Sequence, residues 1–221
     1  MRPVLVLRPE PGASQTLAQA RKRGLDAVAV PLFTVGPIGW DAPNPGDFDA
    51  LLLTSANAVR HGGGGLEALR WLPVHAVGEA TAQAARNAGF FIAGTGDSGV
   101  EDLLDSIDPG LKLLHLCGAD RHAHDDSRQR ITAIPVYRST PIDQPDLASV
   151  RNPVALIHSP RAGRRLAELV SDRGDMVIAA ISLAAAQAAG AGWQHIETAP
   201  APTDDALLAL AARLCNIPVA Q

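Results

Sequence analysis

Val30–Ile38 reads VPLFTVGPI and Ile134–Ile142 reads IPVYRSTPI. Pro31 falls on Pro135, Phe33 on Tyr137, Pro37 on Pro141 and Ile38 on Ile142, 104 residues apart in every case. An internal repeat settles the architecture ahead of any local propensity, because it makes the chain two copies of one unit. The correspondence extends outward. DFDALLLTSAN (Asp47–Asn57) falls on RNPVALIHSPR (Arg151–Arg161), VHAVGEATAQAA on IAAISLAAAQAA (Ile178–Ala189), and VEDLLDSI (Val100–Ile107) on DDALLALA (Asp204–Ala211), all at the same offset. At the front the offset stretches, and VLVLRP (Val4–Pro9) matches LLHLCG (Leu113–Gly118).

Between these landmarks short Val, Ile and Leu runs alternate with Ala-rich stretches. Strands are expected at Val4–Leu7, Asp26–Val30, Ala50–Thr54, Val74–Val77, Phe90–Ala93, Leu113–Cys117, Ile131–Val136, Val154–His158, Val177–Ile181 and Trp193–Glu197. Helices are expected at Ala13–Arg23, Ala56–Arg60 with Leu66–Leu72, Glu79–Ala88, Val100–Ile107, Asp125–Arg130, Pro160–Ser171, Leu183–Ala189 and Thr203–Leu214, with Gly24, Gly89, Gly174 and Gly192 as terminators. This alternation predicts an α/β protein with parallel sheets covered by helices on both faces. Five strands fall between the matched segments, so lobe two is expected over residues 46–133 and is continuous. Lobe one comprises 1–35 plus 144–221. Residues 36–45 and 134–143 are a two-stranded interlobe linker, whose two crossings predict a hinge with a cleft beside it.

The 221 residues allow two small lobes, and 47% of them are hydrophobic, enough for a core in each. A net charge of −4 argues against nucleic acid or a membrane surface as partner. Only Lys22 and Lys112 among the 19 basic residues are Lys. Arg suits bidentate contact with carboxylates, though Arg richness can equally be a genomic habit. Cys117 and Cys215 show no motif spacing and read as reduced thiols of a cytoplasmic protein. No secretory signal or membrane span is expected.

Ligands of parallel α/β sheets bind at the carboxyl ends of the strands. Ser55 and Ser159 stand there, each at a helix start, as caps or as ligand contacts. Gly78 and Thr81 open another helix, where the second copy has Ser182-Leu183-Ala184-Ala185. Gly94-Thr95-Gly96-Asp97-Ser98-Gly99 matches a dinucleotide fingerprint, but Glu101 and Asp102 would repel a pyrophosphate and a turn is the better reading. Gly62–Gly65 reads as a loop. His122, His124, Asp125 and Asp126 read as a solvated helix start rather than a metal site, and His75, His115, His158 and His195 as structural histidines.

Together, FDALLLTSANAV, AVGEATAQAARNAG, the VYRSTP crossing and HSPRAG resemble uroporphyrinogen-III synthases over nearly the whole chain. The resemblance implies two flavodoxin-like lobes on a two-stranded linker. It implies a lyase of tetrapyrrole and haem biosynthesis that dehydrates and cyclises hydroxymethylbilane with inversion of the last pyrrole ring, as a monomer, with no cofactor and no metal. It assigns substrate contacts to Thr54, Ser55, Asn57, Gly78, Thr81 and Ser159, with Arg161 beside them as an anion contact, and a catalytic role to Tyr137. The second copy departs from the family's Gly-x-x-Thr at Ser182–Ala185. That departure keeps a second reading open, a non-catalytic two-lobed binding protein for an anionic small molecule.

Overall fold

The computed structural model describes residues 1–96, 99–120 and 127–218. In chain order it begins with β1 (Val4–Val6), α1 (Gly12–Lys22), β2 (Ala27–Ala29) and β3 (Phe33–Pro37). Next come β4 (Ala50–Leu53), α2 (Ala56–His61), a 3-10 helix (Gly63–Leu69), β5 (Val74–Val77), α3 (Glu79–Asn87), β6 (Ile92–Gly96), α4 (Val100–Ser106), β7 (Lys112–Gly118) and β8 (Arg130–Pro141). The chain closes with β9 (Val154–Ile157), α5 (Pro160–Leu169), β10 (Val177–Ala180), α6 (Leu183–Ala189), β11 (His195–Thr198) and α7 (Asp204–Leu214).

It divides into two compact units. Unit one is Met1–Thr34 with Pro141–Gln221, and unit two is Val35–Thr140. Unit one holds a five-stranded sheet in the order β11-β10-β9-β1-β2, parallel throughout. Its inner strands β1, β9 and β10 are buried at every residue, as both-faces-covered parallel strands must be. One face packs on α1 and α7 through Ala13, Leu207 and Leu210, the other on α5 and α6 through Leu166 and Ala185.

The second sheet has the order β3-β8-β7-β4-β5-β6, with β4 to β8 parallel. Matching strands by the sequence repeat puts β4 on β9, β5 on β10, β6 on β11, β7 on β1 and β8 on β2. The two sheets therefore have one spatial order, and in unit two the chain enters at the third strand. That permutation explains why the offset is constant through the middle of each copy and stretches at the front. Fully buried leucines, among them Leu51, Leu53, Leu69, Leu114 and Leu116, fill this unit's core. Each contributes about 1.5–3 kcal/mol of burial free energy.

The matched segments lie side by side in opposite directions. The Ile38 N–H donates to the Val136 carbonyl at 3.2 Å and the Ile142 N–H to the Leu32 carbonyl at 2.9 Å, a pairing that only antiparallel strands give. The second crossing is not a separate linker. Arg130–Pro141 is one continuous 12-residue strand.

Other expectations need correction. The strand expected at Phe90–Ala93 runs instead over Ile92–Gly96, so Gly94, Thr95 and Gly96 belong to β6 rather than to a turn; Asp97 and Ser98 lie outside the described residues. A Cβ on Gly96 would sit 2.8 Å from the Leu103 Cβ, so glycine here admits α4 against the strand. Gly62–Gly65 is not an open loop. It leads into the 3-10 helix, and Trp40 donates its indole N–H to the Gly62 carbonyl at 2.9 Å. Glycine disfavours α-helix, which explains the tighter helix over the stretch expected to be α. Of the helix expected at Asp125–Arg130, Asp125 and Asp126 lie outside the described residues and Arg130 already belongs to β8. α5 stops at Val170 in extended conformation, Gly174 takes no positive φ, and α6 ends on Gly190 (φ 72°) ahead of Gly192.

Candidate functional site

In unit two the expected site residues gather at the carboxyl ends of β4, β5, β7 and β8. Thr54 follows β4, and its Oγ1 lies 3.1 Å from Nε2 of His115 on the adjacent β7. His115 is buried, so this contact ties two strand ends together below the rim. Ser55 is the N-cap of α2, its Oγ accepting from the Asn57 N–H at 3.2 Å. Asn57 accepts from Arg60 through Oδ1 at 3.1 Å.

Gly78 opens α3 with φ 79°, a conformation that a side chain would strain. No neighbouring atom lies within 4 Å of the place a Cβ would take, so the backbone angle requires this glycine, not crowding. α3 accordingly starts with no side-chain cap. Thr81 sits in its first turn, 5% exposed. The copy in unit one is built differently. Ser182 has φ −155° and its Oγ accepts from the Ala185 N–H at 3.3 Å. One helix start is thus capped by its own serine and the other leaves its first amides without one, with the Glu79 carboxylate of that first turn paired to Arg86 at 2.6 Å.

Tyr137 is in β8, half-buried, with its ring laid over Gly118 at the end of β7. A Cβ on Gly118 would come within 2.9 Å of the phenol Cε2 and Cζ and 3.1 Å of its hydroxyl oxygen. The ring of His61, the last residue of α2, has its centroid 6.3 Å from that of Tyr137 at an interplanar angle of 37°. Burial, and after it the charge of Arg60, lowers the pKa of His61, so its imidazole is neutral near pH 7. The sequence alone singles out neither Gly118 nor His61. In the repeat His61 falls on Arg165, which bonds the Ile142 carbonyl, so what His61 touches depends on folding.

In unit one Ser159 caps α5, accepting from the Ala162 N–H at 3.2 Å. Gly163 brings α5 against α6, because a Cβ there would meet the Ala185 carbonyl oxygen at 2.8 Å and the Ala189 nitrogen at 2.9 Å. The Arg161 guanidinium lies over the Phe33 ring, 4.6 Å from its centroid. Side chains from three other parts of this unit converge on Asp204 at the start of α7. His158 Nε2 lies 2.7 Å from its Oδ1, Thr16 donates to Oδ2 at 2.8 Å, and Arg8 stands at 3.5 Å. Burial pushes the Asp204 pKa up, but the bonds from His158 and Thr16 and the charges of His158 and Arg8 outweigh it and hold the carboxyl below its ordinary value. A cavity of about 590 Å³ lies at the opposite, amino-terminal edge of this sheet, around Val150, Arg151, Asn152 and Met176. None of the three helix starts of this unit described above lines it, so the rim chemistry marks the candidate site and the cavity does not.

Among the described residues no group of three or more His, Cys, Asp or Glu is placed to hold a metal, and no helix is long and apolar enough to cross a membrane. His122, His124, Asp125 and Asp126 lie outside the described residues.

The family described as uroporphyrinogen-III synthase HemD matches residues 14–209. Among solved structures the chain is similar to the uroporphyrinogen-III synthetase of Helicobacter pylori 26695, at 18% identity and a TM-score of 0.72, covering 97% of this chain and 100% of that one. It is also similar to a mutant uroporphyrinogen III synthase of Thermus thermophilus, at 18% identity and a TM-score of 0.53, covering 96% and 98%. Those two likenesses concern the fold, which is the expected two-lobed α/β arrangement. No curated protein sequence gives a significant match.

Proposed function

The chain belongs to the uroporphyrinogen-III synthase family, and we propose that it turns hydroxymethylbilane into uroporphyrinogen III and water. The family match over most of the chain carries this reading. In the reaction the terminal C–O bond breaks, the hydroxyl leaves with a proton as water, and the last pyrrole ring inverts as the macrocycle closes. Pyrrole nitrogen lone pairs drive the expulsion. The protein has to bring the two ends of a flexible chain together, a gain of proximity and orientation.

Tyr137 is assigned the proton at the leaving hydroxyl, as hydrogen-bond donor or general acid. What supports the assignment is its place at the strand ends of unit two, the unit that also carries the uncapped start of α3. The substrate's acetate and propionate groups would accept from the first amides of α3, from Ser55 and Asn57 of α2, and from Ser159 and Arg161 of α5, with Thr54 and Thr81 shaping the rim. The non-catalytic alternative rests on Ser182–Ala185. In the structure that change replaces one kind of helix start by another, and the loop remains well formed. Cys117 and Cys215 are buried and not joined in a disulfide, which accords with a cytoplasmic location. The chain is read as a monomer.

The test supplies hydroxymethylbilane and separates the porphyrin isomers. Type III product supports the reading, and type I alone, which forms without enzyme, overturns it. Tyr137→Phe should lower kcat with little effect on folding; an unchanged kcat removes Tyr137 from the chemistry.

A further inference from the structure

We propose that His61 is a positioning residue for Tyr137, holding the phenol ring over Gly118 so that its hydroxyl faces the reacting end of the substrate. The inference rests on the role given to Tyr137 above. No sequence motif names His61. Its assignment comes from geometry.

Tyr137 stands on a strand whose own backbone fixes its Cα–Cβ direction but not the torsions of its ring. The ring packs against the core of unit two, and two further neighbours bear on its orientation. Gly118 offers a flat backbone surface because it has no Cβ, and His61 reaches the ring from the end of α2. In unit one the equivalent aromatic is covered from a different position of the equivalent helix, since Arg161 is the repeat of Asn57 and not of His61. There α5, the repeat of α2, lays the Arg161 guanidinium over Phe33, the repeat of Tyr137. Arg165, the repeat of His61, donates to the Ile142 carbonyl at 2.9 Å. In both units, then, the helix after the repeated strand supplies a nitrogen-bearing side chain to the aromatic of the crossing segment.

Where the aromatic is phenylalanine, a fixed cation costs nothing chemically. Beside a phenol it would favour the phenolate, and a phenolate has no proton to give. An imidazole that burial keeps uncharged avoids this and still offers a planar ring. Charged side chains of α2, α3 and the 3-10 helix pair locally, although the charge of Arg60 still bears on His61. Arg60 of α2 donates to Asn57, Glu79 of α3 pairs with Arg86 at 2.6 Å, and Glu67 of the 3-10 helix bonds Arg70 at 2.5 Å.

Tyr137 is the only tyrosine of the chain, so a ring-labelled tyrosine gives one NMR signal that reads this site alone. The experiment compares His61→Ala and His61→Phe, each with Tyr137 and with Tyr137→Phe, using hydroxymethylbilane. His61→Ala should lower kcat roughly fivefold to tenfold with KM within about twofold, the split expected when an interaction of the transition state is lost. It should shift or broaden the tyrosine signal. His61→Phe should restore most of kcat by restoring a flat ring. In the Tyr137→Phe background His61→Ala should change little, since two residues acting through one group are not additive. Equal losses in both backgrounds would show a general structural role and overturn the proposal, as would an unchanged kcat. If the unaltered protein gives type III porphyrin and His61→Ala is silent, this inference alone falls. If the unaltered protein gives type I only, the function falls and this role with it.

Discussion

The phenol of Tyr137 lies against Gly118, so close that a methyl group on that glycine would meet the ring at 2.9 Å. The ring is the free end of a side chain, and it can turn aside where backbone could not. Gly118→Ala should therefore leave stability within about 1 kcal/mol, the lower end of the usual cost of overpacking, while displacing the hydroxyl. A fall in kcat of roughly tenfold is expected, since a reacting group moved by a fraction of an ångström loses its alignment. The matching experiment is Gly163→Ala. There the added methyl meets the backbone of α6 at 2.8–2.9 Å, and neither helix can yield alone. A loss of about 1–3 kcal/mol in chemical denaturation is expected. Equal stability losses at the two sites would contradict this account.

Asp204 is the hub of the polar cluster in unit one, and Thr16 beneath it has no exposed surface. Asp204→Ala leaves the Thr16 hydroxyl and His158 without their carboxylate. Each buried polar group so stranded costs about 1–3 kcal/mol. Asp204→Asn keeps an acceptor and should cost less. Because the Asp204 pKa is lowered in the folded state, its contribution is complete above the ordinary Asp value. It fades as pH falls through the folded value below that. Urea midpoints of the two variants, measured near neutrality and in acid, check both statements.

The architecture was legible because parallel strands buried on both faces read as unbroken Leu, Val and Ile runs, and because the repeat fixed which strands belong together. The strand expected at Ile131–Val136 runs on past Val136 and ends only at Pro141, with Pro135 inside it. Within a strand proline removes only its own donor, and the β7–β8 register shifts by a residue between Cys117 and Gly118, next to Pro135. The site was legible where function follows from position along the chain, as with Ser55 and Ser159 at helix starts. It was illegible where function depends on register between distant segments. Thr54 finds His115, and Tyr137 finds Gly118 and His61, only once β4, β7 and β8 are side by side. That the Arg161 guanidinium lies over Phe33 was likewise illegible before folding.

Ser182 tests whether the rim of unit one is structural. Its hydroxyl caps α6 by accepting from the Ala185 N–H. Ser182→Ala should cost about 1 kcal/mol, and Ser182→Gly only a few tenths, the ordering set by helix capping. Neither should alter kcat. A variant of normal stability with impaired turnover would instead make Ser182 a substrate contact, and it would restore chemical equivalence between the two helix starts.

Histidine protonation adds an acid-side dependence to the stability of unit two. Burial lowers the pKa of His75 in β5, and burial with the charge of Arg60 lowers that of His61. Both imidazoles are uncharged in the folded state, and each takes up its proton more readily in the unfolded chain. The folded state therefore has its full advantage above the ordinary histidine value of about 6.5, and loses it as pH falls from there through the folded values. The midpoint of urea unfolding should drop between about pH 7.5 and about pH 5. His75→Gln removes one titrating group, keeps a polar side chain on β5 and should flatten that dependence. His61→Phe should flatten it further while sparing the tyrosine signal. A midpoint that holds constant over this range in the unaltered protein would show that neither histidine is buried as described.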